Sequence, residues 1–203
     1  MKYIKNTAVF SLIALTFLLC GPKDPIKQAI ETNKQGAELL PSNPEKALNK
    51  FLEASELDPK QAEYRTNAGI AYMTMDRKKE ALEKFGEAVQ IDSKYMQAYY
   101  NSGVILESLG RHKEAIQNYE SALKLTTDDT PEIIYNLALS NENSGQKEDA
   151  IEYYSKFVKI APASFKPAIE EAKTRIQKLG GKKNAEAKET KRVKSKKAKR
   201  NKN

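Results

Sequence analysis

One cysteine, one histidine and no tryptophan stand in 203 residues. With single copies of the first two, no disulfide framework can close within the chain and no His/Cys zinc or redox centre can be assembled. The chain contains no G-x-G-x-x-G, no P-loop and no G-x-S-x-G elbow, so the usual phosphate cradles and the hydrolase nucleophile turn are missing. His112 stands among Arg111, Lys113 and Glu114 in a segment between two helical patterns. It is expected to be an exposed turn side chain, with no Ser or Cys for it to activate. The many Glu residues fall at helix-surface spacings beside Lys and Arg and read as solvated faces. The sequence therefore predicts no enzyme, no cofactor and no metal site. Hydrophobic residues make up 39% of the chain, a low share that leaves a thin core and much surface.

Positive charge is abundant, but it is not spread evenly. The formal charge is +8, of which Lys182 to Asn203 contributes +9 and residues 1–24 contribute +2, leaving −3 for residues 25–181. The central part is mildly acidic, so whatever the positive charge does is done from the two ends.

Only one long apolar run is present. Lys2 and Lys5 precede Thr7 to Leu19, an uncharged stretch that ends at Cys20. A positive start followed by an apolar segment of this length reads as a secretory signal, and the run is shorter than the ~20 residues that span a bilayer. The position of Cys20 resembles bacterial lipoprotein (lipobox) signals, in which the cysteine is acylated and becomes the mature amino terminus. Phe17, Leu18 and Leu19 depart from the small residues usual in that pattern. The resemblance implies residues 1–20 as a lipoprotein-type signal peptide, residues 21–27 as a short linker, and lipidation at Cys20. It places the protein in the cell envelope, membrane-anchored on the periplasmic or outer surface. The alternatives are an uncleaved anchor and an inert buried thiol.

Residues 25–181 repeat themselves. Ala47, Ala81, Ala115 and Ala150 are separated by 34, 34 and 35 residues, and each is followed four residues later by an aromatic: Phe51, Phe85, Tyr119 and Tyr154. Ala54, Ala88 and Ala122 come three residues further on, with Phe157 in the last repeat. Steps of four and three put these residues on one helix face, where small residues let a neighbouring helix close around one bulky ring. Twelve residues before the alanine stand Gly69, Gly103 and Ala138, with Gly36 as the shifted counterpart in the first repeat. Gly110 and Gly145, with Asp76 in the equivalent place, mark left-handed turns between paired helices. Pro59 and Pro162 close the second helices of the first and last repeats. Asn43 and Pro44 read as N-cap and first helical residue.

This pattern resembles the tetratricopeptide repeat family. The resemblance implies an all-α, right-handed α-solenoid of four helix pairs over residues 28–164. A capping helix over 165–181 then presents Ile169, Ala172, Ile176 and Leu179 inward, with Glu170, Glu171, Lys173, Arg175 and Lys178 facing away.

Asn33, Asn67, Asn101 and Asn136 each precede their repeat's alanine by fourteen residues. In this family that position faces the concave groove, and some members use such asparagines to hold the backbone of an extended peptide. An amide carries both donor and acceptor and can pair with a peptide unit whatever its side chains. Local hydrogen bonding within the repeats is the competing role. By family register the flanking groove residues are Thr66, Ile70 and Met73, then Tyr100, Val104 and Glu107, then Tyr135, Leu139 and Glu142. The family's carboxylate clamp, which needs Lys and Arg at such positions, is absent.

The segment Lys182–Asn203 has one sizeable apolar residue, Val193, and no aromatic. It can form no core and stack no bases, and its composition predicts disorder. It could contact an anionic membrane surface or serve only as a solubilising end, with nucleic acid the least favoured partner.

The resemblances together point to an exported, membrane-tethered scaffold that binds a protein or peptide in its concave groove. It is similar to the small repeat lipoproteins that act as envelope adaptors, such as pilotins and peptidoglycan-hydrolase adaptors. The alternative is a cytoplasmic-facing anchored protein whose basic tail binds nucleic acid or another anionic partner.

Overall fold

The computed structural model describes residues 24–127 and 130–180. Cys20, the apolar run before it and Lys182–Asn203 lie outside the described residues. Among the described residues eight helices form four antiparallel pairs: α1 (Pro25–Leu39) with α2 (Pro44–Leu57), α3 (Ala62–Thr74) with α4 (Lys78–Ile91), α5 (Met96–Ser108) with α6 (His112–Lys124), and α7 (Pro131–Asn143) with α8 (Lys147–Ile160). A 3₁₀ turn, Ala163–Phe165, leads into the capping helix α9 (Lys166–Lys178). Each element packs on the next, so the chain stacks into an α-solenoid.

Local chemistry sets the helix ends. Asp24 accepts the Ile26 N–H at 3.0 Å with Pro25 at the first helical position, so α1 begins three residues before the expected 28. Asn43 accepts the Lys46 N–H at 3.0 Å ahead of Pro44, as its cap reading predicted. Three of the intra-pair turns are built alike. Asp76, Gly110 and Gly145 have φ of 57°, 71° and 82°. The residue after each donates its N–H across the turn: Arg77 to Tyr72, Arg111 to Leu106 and Gln146 to Asn141, all at 2.9 Å. These are Schellman closures, which satisfy the last carbonyls of the first helix and need a left-handed residue.

The repeated small and aromatic residues form the core. The four alanines, the four aromatics and the Ala54, Ala88, Ala122 and Phe157 set are all at most 1% exposed. A Cβ added at Gly36, Gly69 or Gly103 would come within 2.6, 2.5 and 2.6 Å of the ring of Phe51, Phe85 and Tyr119 respectively. The first helix of each of these pairs thus lies directly on its partner's ring. Phe157, the departure in the last repeat, meets the Phe165 ring edge-on at 6.0 Å, at the point where the cap takes the place of a fifth pair.

Candidate functional site: the concave face of the first helices

Successive first helices also touch one another, α3 with α5 and α5 with α7, which makes them the inner layer of the solenoid. Ile70, Val104 and Leu139 each follow the small residue of their helix directly and lie in one line on that layer, half-buried. Met73, Tyr100 and Tyr135 are half-buried beside them. Thr66, assigned to the same face, is 1% exposed and belongs to the core.

The asparagines bind within the protein. Asn67 donates to Asn33 Oδ1 at 2.9 Å, and Asn33 in turn donates to Glu63 Oε1 at 3.0 Å. Asn136 donates to the Tyr100 hydroxyl at 3.2 Å. Each bond ties one first helix to a neighbouring first helix. The equivalent donor in the middle, Asn101, is buried, and neither its Nδ2 nor the Thr66 Oγ1 at the matching acceptor position has a hydrogen-bond partner. The first rung is also out of register, because Asn33 lies three residues before Gly36 whereas the other asparagines lie two before Gly69, Gly103 and Ala138. Helix α1 ends at Leu39 and its turn, Leu40 to Asn43, has four residues. Counting back from Ala47 therefore shifts the position by one.

Two carboxylates expected on a solvated edge are held firmly. Glu107, with 16% of its side chain exposed, accepts from Ser140 Oγ and Asn143 Nδ2, both at 2.6 Å. His112 Nδ1 lies 3.0 Å from the same carboxylate. Burial pushes the Glu107 carboxyl up, but the contacts from Ser140, His112 and Asn143 outweigh it and hold the group below the usual range. The expectation of a fully exposed His112 is thus corrected, because the turn folds it back onto α5. Glu142 accepts from the Tyr154 hydroxyl at 2.8 Å and from Arg175 of the cap at 2.9 Å. Arg175 was expected to face away. It reaches back to Glu142 because that carboxylate, 33 residues distant, offers a charged partner, and it also binds Glu171 at 2.7 Å.

At this end of the face Tyr135 packs on Phe157, with centroids 5.0 Å apart, and on Tyr154 at 5.8 Å. Burial, with Glu171 beside it, pushes its hydroxyl up to about 12. Burial also raises Tyr100, although the Asn136 hydrogen bond opposes it. These phenols are neutral donors and acceptors in water. Among the described residues no group of three His, Cys, Asp or Glu could hold a metal ion, and no helix is long and apolar enough to cross a membrane.

Residues 97–129 and 131–164 match the family model of the tetratricopeptide repeat. The chain carries tetratricopeptide repeats. The matched stretches are the α5–α6 and α7–α8 pairs, and the two preceding pairs reproduce the glycine-on-ring packing of α5–α6. Among solved structures, MamA is 25% identical with a TM-score of 0.61, over 67% of this chain and 79% of that one. Pseudomonas aeruginosa pilF shares the fold at 24% identity and a TM-score of 0.67, over 77% of this chain and 71% of that one. So does the first repeat domain of Spaghetti (RPAP3), solved bound to the HSP90 peptide SRMEEVD, at 21% identity and a TM-score of 0.57, over 62% of this chain and 99% of that one. No curated protein sequence matches the chain. Tetratricopeptide repeats are scaffolds for protein interaction.

Sequence reasoning missed Glu132, Phe165 and the return of Arg175. Only the cap's position beside α7 and α8 gives them a place on this face, and no spacing in the chain announces it.

Proposed function

We propose that this protein is an exported, membrane-tethered scaffold that holds a segment of a partner protein along its concave face. The observation that carries this reading is the line Ile70, Val104 and Leu139, flanked by Met73, Tyr100 and Tyr135. Half-buried apolar side chains recur at one position of three successive first helices, with the two tyrosines and the methionine beside them. Such a strip gains when a partner removes its remaining surface from water, at roughly 25 cal/mol per Å². The asparagines serve chiefly to keep the inner helices in register, each with amide capacity left for a partner's backbone. The tether is a lipid on Cys20, suggested by the charged start and apolar run before it.

Two experiments test this. Val104→Glu with Leu139→Glu in the full-length chain should abolish co-purification of a cross-linked envelope partner while the helical circular dichroism is unchanged. Undiminished capture would move the binding surface elsewhere. The intact mass of the mature protein from its native membrane should correspond to a chain beginning at Cys20 and carrying acyl groups. A full-length mass without lipid would overturn the export reading and favour the cytoplasmic-facing alternative.

A further inference from the structure

The concave face changes character towards its carboxy-terminal end. There α5, α7, α8 and the cap enclose a concavity of about 180 Å³ lined by Tyr100, Glu132, Tyr135, Asn136, Phe157 and Phe165, with Ala168 at its edge. None of these residues is Lys or Arg. Tyr135 and Phe165 stand edge-on to Phe157, 5.0 and 6.0 Å away. Glu132, in the first turn of α7, is exposed. The nearby Arg175 is engaged by Glu142 and Glu171. An aromatic lining with a carboxylate at its rim and no cation of its own favours a cation over an anion.

The chain itself supplies a ligand of that kind. Residues 25–181 carry −3 and Lys182–Asn203 carries +9. The basic segment leaves from the far end of α9, a helix of 13 residues and thus about 20 Å long. Returning along it to Phe165 takes about six extended residues at ~3.4 Å each, which brings Lys188, Lys191 and Arg192 to the concavity with chain to spare. We propose that this concavity takes a Lys or Arg side chain, and that its occupant is the protein's own segment 182–203, folded back along the cap into the concave groove. A partner then has to displace the segment to bind. The inference rests on the groove reading above and names the groove's resident ligand.

The test uses the full-length chain with the eleven Lys and Arg of residues 182–203 changed to Gln. The probe is a labelled peptide of residues 182–203, followed by fluorescence anisotropy. The Gln-tailed chain should bind the peptide, at least tenfold more weakly in 300 mM than in 50 mM NaCl, since exposed charges are screened. Adding Glu132→Gln, an exposed position where misfolding is not expected, should weaken binding fivefold or more. The wild-type chain, its own tail in place, should bind the added peptide at least fivefold more weakly than the Gln-tailed chain. No binding to the Gln-tailed chain, indifference to Glu132→Gln, or equal binding by wild type would each overturn the proposal. Tail-dependent binding of wild type to phosphatidylglycerol vesicles, with no peptide binding to the Gln-tailed chain, would assign the segment to a membrane instead. Partner capture that still depends on Val104 and Leu139 while the peptide fails to bind would remove the tail from the groove and leave the groove reading standing.

Discussion

Gly103 lies so close to Tyr119 that a Cβ on it would come within 2.6 Å of the ring's Cε1. The same approach recurs at Gly69 over Phe85, at 2.5 Å. Gly103→Ala should therefore destabilise the protein. Overpacking of this kind costs about 1–3 kcal/mol, against a helix-propensity gain of about 1. Gly86, also in a helix but with nothing within 4 Å of its added Cβ, supplies the contrast: Gly86→Ala should stabilise by about 0.5–1 kcal/mol. Urea midpoints of the two variants should move in opposite directions, and a stabilised Gly103→Ala would show that the ring yields.

The asparagines should separate in the same assay. Asn67→Leu removes a bond between α3 and α1 and leaves Asn33 without it, at a cost of about 1 kcal/mol. Asn101→Leu replaces a buried amide whose Nδ2 has no partner with an apolar group of similar size. It should be neutral or stabilising. A large loss at Asn101 would mean that the amide is satisfied in solution, by water or by ligand.

Arg175 fastens the cap to α7 through Glu142 at 2.9 Å and is braced by Glu171 of its own helix at 2.7 Å. Arg175→Ala leaves Glu142, with 23% of its side chain exposed, without a cation. A loss of about 1–2 kcal/mol is expected for charge-assisted bonds that water partly screens. Amide exchange should quicken in α9 and α8 before it does in α3 or α4. Uniform quickening would mean that the solenoid unfolds as one unit.

Glu107 should impose a pH dependence. Its folded pKa is held below the unfolded value of ~4.3. Its contribution is therefore complete above about pH 5 and is lost as the pH falls through the folded value. At pH 7, Glu107→Gln should be less stable than wild type by about 1 kcal/mol, because a neutral acceptor replaces a charged one facing Ser140 and Asn143. At pH 3 the gap should narrow, and a gap of constant size would show that the charge is not what those donors serve.

Much of the fold was legible because a 34-residue repeat writes its packing into the chain four times over. Ala81, Phe85 and Ala88 need only helical spacing to share a face, and Asp76 declares its turn by standing where Gly110 and Gly145 stand in the other repeats. The candidate site was less legible. Asn33 sits at the counted distance from Ala47, yet the early end of α1 after Gly36 and the four-residue turn that follows move it one place off the small residue that meets Phe51. Glu107, His112 and Arg175 were read as surface because their neighbours in sequence are polar, whereas their partners are 33 to 36 residues away on other helices or folded back across a turn.

The sequence by itself determined the helix pairs, the alanine and aromatic core and the left-handed turns, because these depend on residues a few positions apart within one repeat. Only the tertiary structure decided which carboxylates are held, that the asparagines join helix to helix, and that the cap completes an aromatic concavity beside Glu132. Those features depend on how far one helix pair rotates on the next, a geometry set by the packing of whole faces and carried by no local pattern.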